Sequence, residues 1–267
     1  MNTREQLDIS VVMLSFNSAQ YLDMSIKSVI DSLTENGYSF DIYIVDNGSR
    51  DGSVEKLQEM RNRYPGIIKL KLYNQNTGTT LSRNYALKRI NSRYILVLDS
   101  DAYVNPQAVS HLVAVLEQNS DIGMAVPKIL YPSGSFQKST DVFPTLLNKF
   151  IRYCFLRKIE KGYGNGDCCA PVDVDYAISA FWLIRGSIVK EVGLLDENIF
   201  YSPEDVDYCI RVRKKGYRIV YDQSVHIVHD AQEISRRRLN KYFFSHLKGL
   251  FYLFRKHRYG FFKRTPI

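Results

Sequence analysis

Short apolar runs alternate with helix-like segments through the first half of this chain. Each run is rich in β-branched and other apolar residues, and each ends in a polar stretch. The strand-like runs are Ile9–Ser15, Phe40–Val45, Ile67–Leu72 and Tyr94–Leu98, and the helical patterns that follow them lie at 19–32, 54–61, 83–90 and 106–118. Four strand–helix units in succession require parallel strands joined by crossover helices. The sequence therefore predicts an α/β fold with a Rossmann-like, mostly parallel sheet flanked by helices.

The size and composition are those of an ordinary globular α/β protein. The chain has 267 residues, of which 45% are hydrophobic and 24% charged. No apolar run approaches the ~20 residues needed to cross a bilayer, and residues 1–8 lack the apolar centre of a secretion signal. Cys154, Cys168, Cys169 and Cys209 show neither zinc spacing nor a disulfide framework. These features predict a cytoplasmic protein in a reducing setting.

The basic charge is concentrated in the C-terminal tail. Residues 231–267 contain ten Lys or Arg and one acid, so residues 1–230 carry about −1 of the total net charge of +8. Within 235–258, apolar residues recur at helical spacing (Leu239, Phe243, Leu247, Leu250 and Phe254), which predicts a basic amphipathic helix. Either this helix contacts an anionic membrane through residues 235–264, or its apolar stripe packs on the body. Aromatic and Arg residues also suit nucleic acid, but the near-neutral body disfavours that partner and none is expected.

Two carboxylates follow the fourth apolar run. Asp99 and Asp101 are separated by one small residue, at the carboxyl end of a predicted central strand, where open α/β sheets bind ligands. Such oxygen ligands suit Mg²⁺ or Mn²⁺. The alternative is that both acids simply end the strand, because Asp and Ser favour turns. His229 can complete a metal shell with an imidazole nitrogen, although His226 competes for that role.

Other predicted strand ends carry groups suited to a nucleotide. Ser15, Phe16 and Asn17 follow the first strand, and Asp46 follows the second. A carboxylate at Asp46 can accept from the edge of a base, Phe16 offers a stacking face, and Arg83 offers a charge for phosphate. Neither a P-loop nor a dinucleotide-binding glycine pattern follows the first strand, which disfavours those two classes.

Three acids in four residues open a later predicted helix. Glu204, Asp205 and Asp207 follow Pro203, at the start of a helix predicted to reach about Lys215. An acid at a helix N-terminus is stabilised by the helix dipole, which gives one of them a purely structural explanation. A general base for a sugar hydroxyl also needs a rigidly held carboxylate.

The ordered set of these motifs resembles a known enzyme family. The motifs are Ser15-Phe-Asn17, Val45-Asp-Asn-Gly-Ser-Arg-Asp51, Asp99-Ser-Asp101, Gly193-Leu-Leu-Asp-Glu197, Glu204-Asp-Val-Asp207 and His229. Together they resemble family 2 glycosyltransferases of the GT-A fold, in particular the bacterial rhamnosyltransferase- and galactofuranosyltransferase-like branch. The resemblance covers about residues 8–260.

The resemblance implies a role for each matching position. Asp46 would bind the base of a nucleotide-sugar, with Phe16 stacking on it. Asp99 would bind the ribose, and Asp101, with Asp99 and His229, the divalent ion. Asp205 would be the catalytic base, with Glu204 as the second candidate.

The same resemblance implies an activity and its partners. The expected reaction is an inverting, metal-dependent transfer of a hexosyl or deoxyhexosyl unit from a UDP- or dTDP-linked donor. The expected acceptor is a hydroxyl of a glycan or lipid-linked saccharide in bacterial surface polysaccharide synthesis, reached from the inner face of the membrane. The acceptor side is expected around Ser179 and Trp182. Here the chain has Ser179-Ala180 where the branch often has Gly-Ala.

The resemblance also divides the chain into functional parts. The expected catalytic domain is 1–230, with a nucleotide-sugar half at 1–127 and an acceptor half at 128–230, followed by the tail at 231–267. The stretch from about 131 to 171 shows little periodicity and is typical of a lid or binding loop. Two other classes remain open: a sugar-nucleotide nucleotidyltransferase, and a catalytically silent nucleotide-sugar or nucleic-acid binding module.

Overall fold

A computed structural model of the protein describes residues 6–145, 170–231 and 241–259. Leu239, three of the cysteines (Cys154, Cys168 and Cys169), most of the loop at 131–171 and the end of the tail lie outside these ranges. The side chains of residues 241–244 are also not described, although their backbone belongs to a helix.

The described residues form seven helices. They are α1 Leu22–Glu35, α2 Ser53–Arg63, α3 Thr79–Leu87, α4 Pro106–Gln118, α5 Gly186–Val192, α6 Glu204–Lys214 and α7 Lys241–His257. The helices predicted at 19–32, 54–61, 83–90 and 106–118 and from Pro203 are confirmed, with ends that differ by a few residues, whereas α5 was not predicted. Of the predicted tail helix, Lys241–His257 is helical and residues 235–240 lie outside the described ranges. None of the described helices combines the length and apolar composition needed to span a bilayer.

Twelve strands lie within the same residues. They are β1 Leu7–Ser15, β2 Phe40–Asp46, β3 Ile68–Leu72, β4 Ser92–Asp99, β5 Ala102–Tyr103, β6 Ile122–Leu130, β7 Phe136–Gln137, β8 Thr140–Asp141, β9 Val172–Asp173, β10 Tyr176–Ala177, β11 Phe181–Arg185 and β12 Arg218–His229.

The main sheet has the order β3-β2-β1-β4-β11-β6-β12-β5. Strands β3, β2, β1 and β4 are parallel neighbours, and β6 and β12 also pair in parallel. Between these groups β11 runs antiparallel to both β4 and β6. The predicted mostly parallel sheet is therefore confirmed, with one antiparallel strand at its centre.

Both faces of the sheet are covered, as the apolar run of β4 predicts. Tyr94, Leu96 and Leu98 point into a hydrophobic cluster shared with α1, α2 and α4. Ile95 and Val97 point to the other face, into a cluster shared with α3, α5, α6 and α7. The tail helix α7 therefore shares a core with the body.

Two local expectations are wrong. Asn17 or Ser18 is suited to cap a helix that starts near Ala19, but α1 begins at Leu22, with Tyr21 as N-cap and no side-chain cap hydrogen bond. The short apolar runs at 217–221 and 225–228 predict two strands, but the structure has the single strand β12 there, with a register shift between Asp222 and His226. A bulge of this kind bends a strand without ending it.

Candidate active site

Three strand ends meet at one edge of the sheet. In the parallel pairing of β1 with β2, Ser15 is opposite Asp46, and in the pairing of β1 with β4, Leu14 is opposite Asp99. Because the carboxyl ends of parallel strands lie on the same edge, the polar residues predicted to bind a nucleotide-sugar start from neighbouring positions.

The Asp46 carboxylate points into the protein and is completely buried. Its Oδ1 accepts hydrogen bonds from the backbone N–H of Gly48 (3.1 Å) and of Ser49 (2.9 Å). Its Oδ2 accepts from the hydroxyls of Ser15 (3.2 Å) and Ser49 (2.5 Å). These four bonds occupy the lone pairs of an ionised carboxylate. In this structure the group holds its own loop together, and its binding of a base stays a prediction.

At the end of β1, burial decreases from residue 15 to residue 17. Ser15 is fully buried and its hydroxyl donates to Asp46, and its contact with the donor stays a prediction. Phe16 is half-buried and Asn17 is exposed. Asn17 adopts φ 50°, and its Oδ1 accepts from the N–H of Arg50 at 2.9 Å, so the first two loops are joined. Stacking of a base on Phe16 stays a prediction.

The turn after β4 is fixed on both sides. The hydroxyl of Ser100 donates to that of Ser18 at 2.7 Å, which ties the turn to the end of β1. On the other side, the backbone carbonyl of Asp101 accepts from the N–H of Asp230 at 2.9 Å. The turn therefore presents Asp99 and Asp101 between β1 and the end of β12.

His229 brings an imidazole to these two carboxylates. Its Nε2 lies 3.2 Å from Asp101 Oδ1 and 4.0 Å from Asp99 Oδ2. One ligand atom from each of the three residues lies within 4.8 Å of the others. The competing His226 is exposed on the same strand. The structure therefore brings together the three predicted metal ligands.

The opposite ring nitrogen of His229 is held by Gln137, which the sequence analysis missed. Gln137 Oε1 lies 3.0 Å from His229 Nδ1 and both side chains are buried. Since a carbonyl oxygen only accepts, Nδ1 carries the hydrogen and Nε2 faces the carboxylates. Such support is usual for histidines that bind metals. No local signal marks Gln137, because a short hairpin brings it to His229 across 92 residues.

The electrostatics of this group fit a divalent cation. Burial raises the pKa of Asp99, Arg83 opposes that shift, and the charge of Asp101 adds to it. Burial disfavours the charged form of His229, yet the hydrogen bond to Asp101 raises the pKa of the imidazole. Two carboxylates close together in a partly buried place need a positive partner. Carboxylate oxygens beside one imidazole form a donor set compatible with Mg²⁺ or Mn²⁺.

Arg83 connects this group to the start of α6. Arg83 is 1% exposed. Its Nη2 donates to Asp99 Oδ1 at 2.6 Å, and its Nη1 lies 3.4 Å from Glu204 Oε1. Nη1 also donates to Ser179 Oγ at 2.6 Å. Arg83 hydrogen-bonds with Asp99, Ser179 and Glu204 in this structure, and its contact with a phosphate stays a prediction.

The two acids that begin α6 have different surroundings. Glu204 is buried, and burial raises its pKa to about 8, with Asp205 adding to the shift and Arg83 opposing it. Glu204 is therefore mainly protonated at neutral pH. Asp205 is half-buried, and its Oδ1 accepts from the N–H of Val206 at 2.8 Å. Asp205 is the more accessible of the two.

Both residues predicted to bind the acceptor are used inside the protein. Trp182 is 1% exposed, its indole N–H donates to the Ala177 carbonyl at 3.0 Å, and its ring stacks on Tyr208. Ser179 is buried, with its hydroxyl between Arg83 and Glu204. Neither side chain faces an open surface in this structure, and acceptor contact by either residue stays a prediction.

Solved structures with the same fold share most of this architecture. GalNAc-T7 with UDP, GalNAc and Mn²⁺ aligns with a TM-score of 0.65 at 18% identity, over 84% of this chain and 43% of that one. The mannosyltransferase PcManGT from Pyrobaculum calidifontis, with GDP-Man and Mn²⁺, gives 0.63 at 15% identity, over 98% and 66%. These likenesses confirm the predicted GT-A fold.

Relatives by sequence include bacterial glycosyltransferases and a teichoic acid biosynthesis protein. A poly(ribitol-phosphate) beta-N-acetylglucosaminyltransferase of Staphylococcus aureus strain N315 is 29% identical over 248 residues, which are 87% of this chain and 66% of that protein. The minor teichoic acid biosynthesis protein GgaA of Bacillus subtilis strain 168 is 26% identical over 152 residues, 53% of this chain and 34% of GgaA. The chain thus spans less than two thirds of the length of these relatives.

The family assignment rests on a match over most of the sheet. A family model described as glycosyl transferase family 2 matches residues 10–193, well over half of the 267 residues. That span includes the strand ends of β1, β2 and β4, together with Arg83, Asp99 and Asp101. The chain belongs to glycosyl transferase family 2.

Proposed function

We propose that this chain transfers a sugar from a nucleoside diphosphate sugar to a hydroxyl of a glycan or lipid-linked saccharide, with inversion at the anomeric carbon. One observation carries the proposal. A carboxylate–imidazole group fitted to a cation (Asp99, Asp101 and His229) is joined through Arg83 to an acidic helix start at the same edge of the sheet.

On the donor side, Asp99, Asp101 and His229 would hold Mg²⁺ or Mn²⁺. A divalent ion bound there supplies positive charge against the diphosphate leaving group. Arg83 keeps Asp99 in place through the 2.6 Å contact, and Gln137 fixes the ring of His229. Phe16, half-buried beside the open Asn17, is the proposed stacking face for the base.

On the acceptor side, Asp205 is the proposed general base. It would take the proton of the acceptor hydroxyl as that oxygen attacks the anomeric carbon and the bond to the diphosphate breaks. Glu204 is less suited, because it is buried, mainly protonated and already in contact with Arg83 and Ser179. A fixed helix start holds the accessible carboxylate in one orientation.

The identity of the substrates is proposed from the relatives. The names of two of them refer to poly(ribitol-phosphate) and minor teichoic acid, so we place the chain in bacterial surface polysaccharide synthesis. A neighbouring structure contains UDP and another contains GDP-Man. UDP- or dTDP-linked hexoses and deoxyhexoses remain the proposed donors, and the rhamnosyl- or galactofuranosyl-transferring branch remains a prediction.

Peripheral contact with an anionic membrane is proposed for the outer face of α7. Leu250, Leu253 and Phe254 pack into the body, whereas Leu247 is 48% and Phe251 73% exposed. Exposed Lys248 and Arg255 lie near them, and α7 contains no acid. Apolar side chains beside cations suit an anionic lipid surface.

Flotation with anionic vesicles tests the membrane contact. Phe251→Ser should reduce the vesicle-bound fraction, while Met24→Ser, which removes another exposed apolar residue on α1, should leave it unchanged. Equal binding by wild type and Phe251→Ser would contradict the proposal, and a nucleic-acid gel shift alongside would reveal the competing partner.

A donor screen tests the activity. UDP-, dTDP- and GDP-linked sugars are incubated with the protein and Mg²⁺ or Mn²⁺, and hydrolysis and thermal stabilisation are measured. At least one donor should stabilise the wild type in a metal-dependent way, and Asp101→Ala should remove that dependence. Stabilisation that is equal with and without metal, for wild type and variant alike, would refute the proposed donor site.

A further inference from the structure

Two acids on either side of the Glu204–Asp205 pair are held by the tail helix. Asp196 lies in the loop before the pair and Asp207 lies on α6 just after it. Lys256 Nζ of α7 contacts Asp196 Oδ2 and Asp207 Oδ1, each at 2.6 Å. One ammonium group therefore joins both ends of the segment that carries the proposed base.

His257 makes a second, two-point contact with α6. Its Nε2 lies 2.8 Å from Asp207 Oδ1, and its Nδ1 lies 3.2 Å from Lys214 Nζ. Because a lysine ammonium only donates, Nδ1 accepts from Lys214 and the Nε2–H donates to Asp207. Asp207 is completely buried and His257 is 8% exposed, so this arrangement is enclosed by protein.

The backbone of α7 also approaches the same segment. A Cβ added to Gly249 would lie 2.2 Å from the carbonyl oxygen of Ser202, two residues before Glu204. At the other side of the segment, the Phe200 carbonyl accepts from the N–H of Thr79 at 2.7 Å. The segment is thus held between α3 and α7.

Because Asp207 lies on α6, these contacts affect the direction in which other side chains of α6 point. Residues two apart on an α-helix do not share a face. Fixing Asp207 against α7 therefore fixes the rotation of α6, and with it the direction of Asp205 on another face. Buried ion pairs contribute little net stability compared with well-packed apolar side chains, whereas their directional contacts define a single orientation.

We propose that Lys256 and His257 are positioning residues that orient the Glu204–Asp205 pair toward the acceptor. The inference rests on the proposed function, because it takes Asp205 as the base. It extends the reaction machinery to the tail, beyond the residues 10–193 that the family model matches.

Steady-state kinetics on substituted enzymes test this inference. Lys256→Met and His257→Leu should each lower kcat about tenfold or more, because small displacements of a reacting group are costly. The donor KM and the Mn²⁺ affinity should change less than about twofold, because the donor side is untouched. The assay uses whichever nucleotide-sugar gives turnover in the donor screen.

Conservative variants and a control separate positioning from general stability. Lys256→Arg and His257→Gln keep hydrogen-bond donors and should recover most of kcat. Lys27→Met removes an exposed ion pair on α1 and should have no effect. Unchanged kcat in Lys256→Met and His257→Leu would overturn the proposal. A parallel loss of kcat, donor affinity and melting temperature without rescue would also overturn it.

Amide hydrogen exchange tests the positioning role independently of the proposed function, because it needs no active donor. In His257→Leu, the amides of residues 204–207 should exchange faster while those of β1 stay protected. Unchanged exchange at 204–207 would overturn the positioning role even if no donor is found. Failure of every donor in the wild type, by contrast, would refute the proposed function alone.

Discussion

At the scale of single residues, the adjacent acids Glu204 and Asp205 show how different the surroundings of two neighbouring carboxyl groups can be. Glu204 is enclosed with Arg83 and Ser179, and its pKa is raised to about 8. Asp205 is half-buried at the same helix start. Environments that separate two carboxyl groups in this way assign them different chemical roles.

The raised pKa of Glu204 predicts a pH-dependent loss of stability. Native Glu204 keeps its proton up to about pH 8, whereas an unfolded glutamate loses it near 4.5. The native state binds more protons between these values, so this group lowers the free energy of unfolding as pH rises. Glu204→Gln should therefore lose less stability than wild type between pH 5 and 8, measured by urea denaturation of the metal-free protein. Identical pH profiles would contradict this.

Gln137 gives a second prediction at this scale. Gln137→Leu removes the acceptor at His229 Nδ1 and should weaken Mn²⁺ binding about tenfold to a hundredfold, by comparison with other supporting residues of metal sites. Calorimetric titration of Mn²⁺ measures the effect. His226→Gln, an exposed histidine on the same strand, is the control and should bind as wild type does. Wild-type affinity in Gln137→Leu would show that the ring is held otherwise.

The chemical types at the site could be predicted from sequence, but their directions could not. Asp46 and Asp99 both end a parallel strand beside β1, and nothing in the local pattern separates them. The loop after Asp46 folds back and supplies three donors, whereas the turn after Asp99 leaves its side chain 32% exposed. Those hydrogen bonds depend on tertiary contacts, so a single sequence does not reveal which acid faces a ligand.

At the scale of elements, the helix that carries Arg83 begins where its backbone passes close to that of Phe200. Gly78 has φ +88° and precedes α3. A Cβ there would lie 2.4 Å from the Phe200 carbonyl oxygen and 2.8 Å from its ring. The first turn of α3 therefore needs a glycine for two separate reasons, conformation and space.

Gly78→Ala should therefore lower the free energy of unfolding more than a Gly→Ala substitution at a position with positive φ where the added Cβ contacts nothing. A non-glycine residue in a left-handed conformation costs on the order of 1–3 kcal/mol. Gly37→Ala is the matched control, because Gly37 has φ +71° and no heavy atom within 4 Å of an added Cβ. Urea denaturation of both variants should show the larger loss for Gly78→Ala. Equal losses would mean that the Phe200 loop moves aside freely.

Elements with strong periodicity were predicted well, and elements set by tertiary contacts were not. The run at β4 is apolar on both faces and was recognised as a central strand. The start of α1 was misplaced because the hydroxyl of Ser18 hydrogen-bonds with Ser100 instead of capping the helix. A bulge kept β12 continuous through polar residues that looked like a break.

At the scale of the whole molecule, the sheet order explains how distant residues converge. The antiparallel β11 lies between β4 and β6, so Ser179 and Ala180 at its start come beside Asp99. Strand β12 returns His229 to the same edge, next to β5. The alternating pattern predicted the parallel half, whereas the β11 insertion carries no comparable signal.

The tail illustrates a second limit at this scale. Its amphipathic pattern allowed either membrane contact or packing on the body. The structure places Leu250 and Phe254 of the predicted stripe in the core but leaves Leu247 exposed, so one periodic stripe is divided between two surroundings. Periodicity identifies an apolar face, and only the fold says which part of that face is covered.

The most direct measurement of the central claim compares Asp205→Asn with wild type in two assays on the same preparation. Asn keeps the size of the side chain but cannot take a proton, so turnover of the active nucleotide-sugar should be abolished while metal-dependent donor binding by calorimetry stays within about twofold. Asp31→Asn, on the exposed side of α1, should match wild type in both assays. Sugar transfer by Asp205→Asn at a rate comparable to wild type would contradict the account.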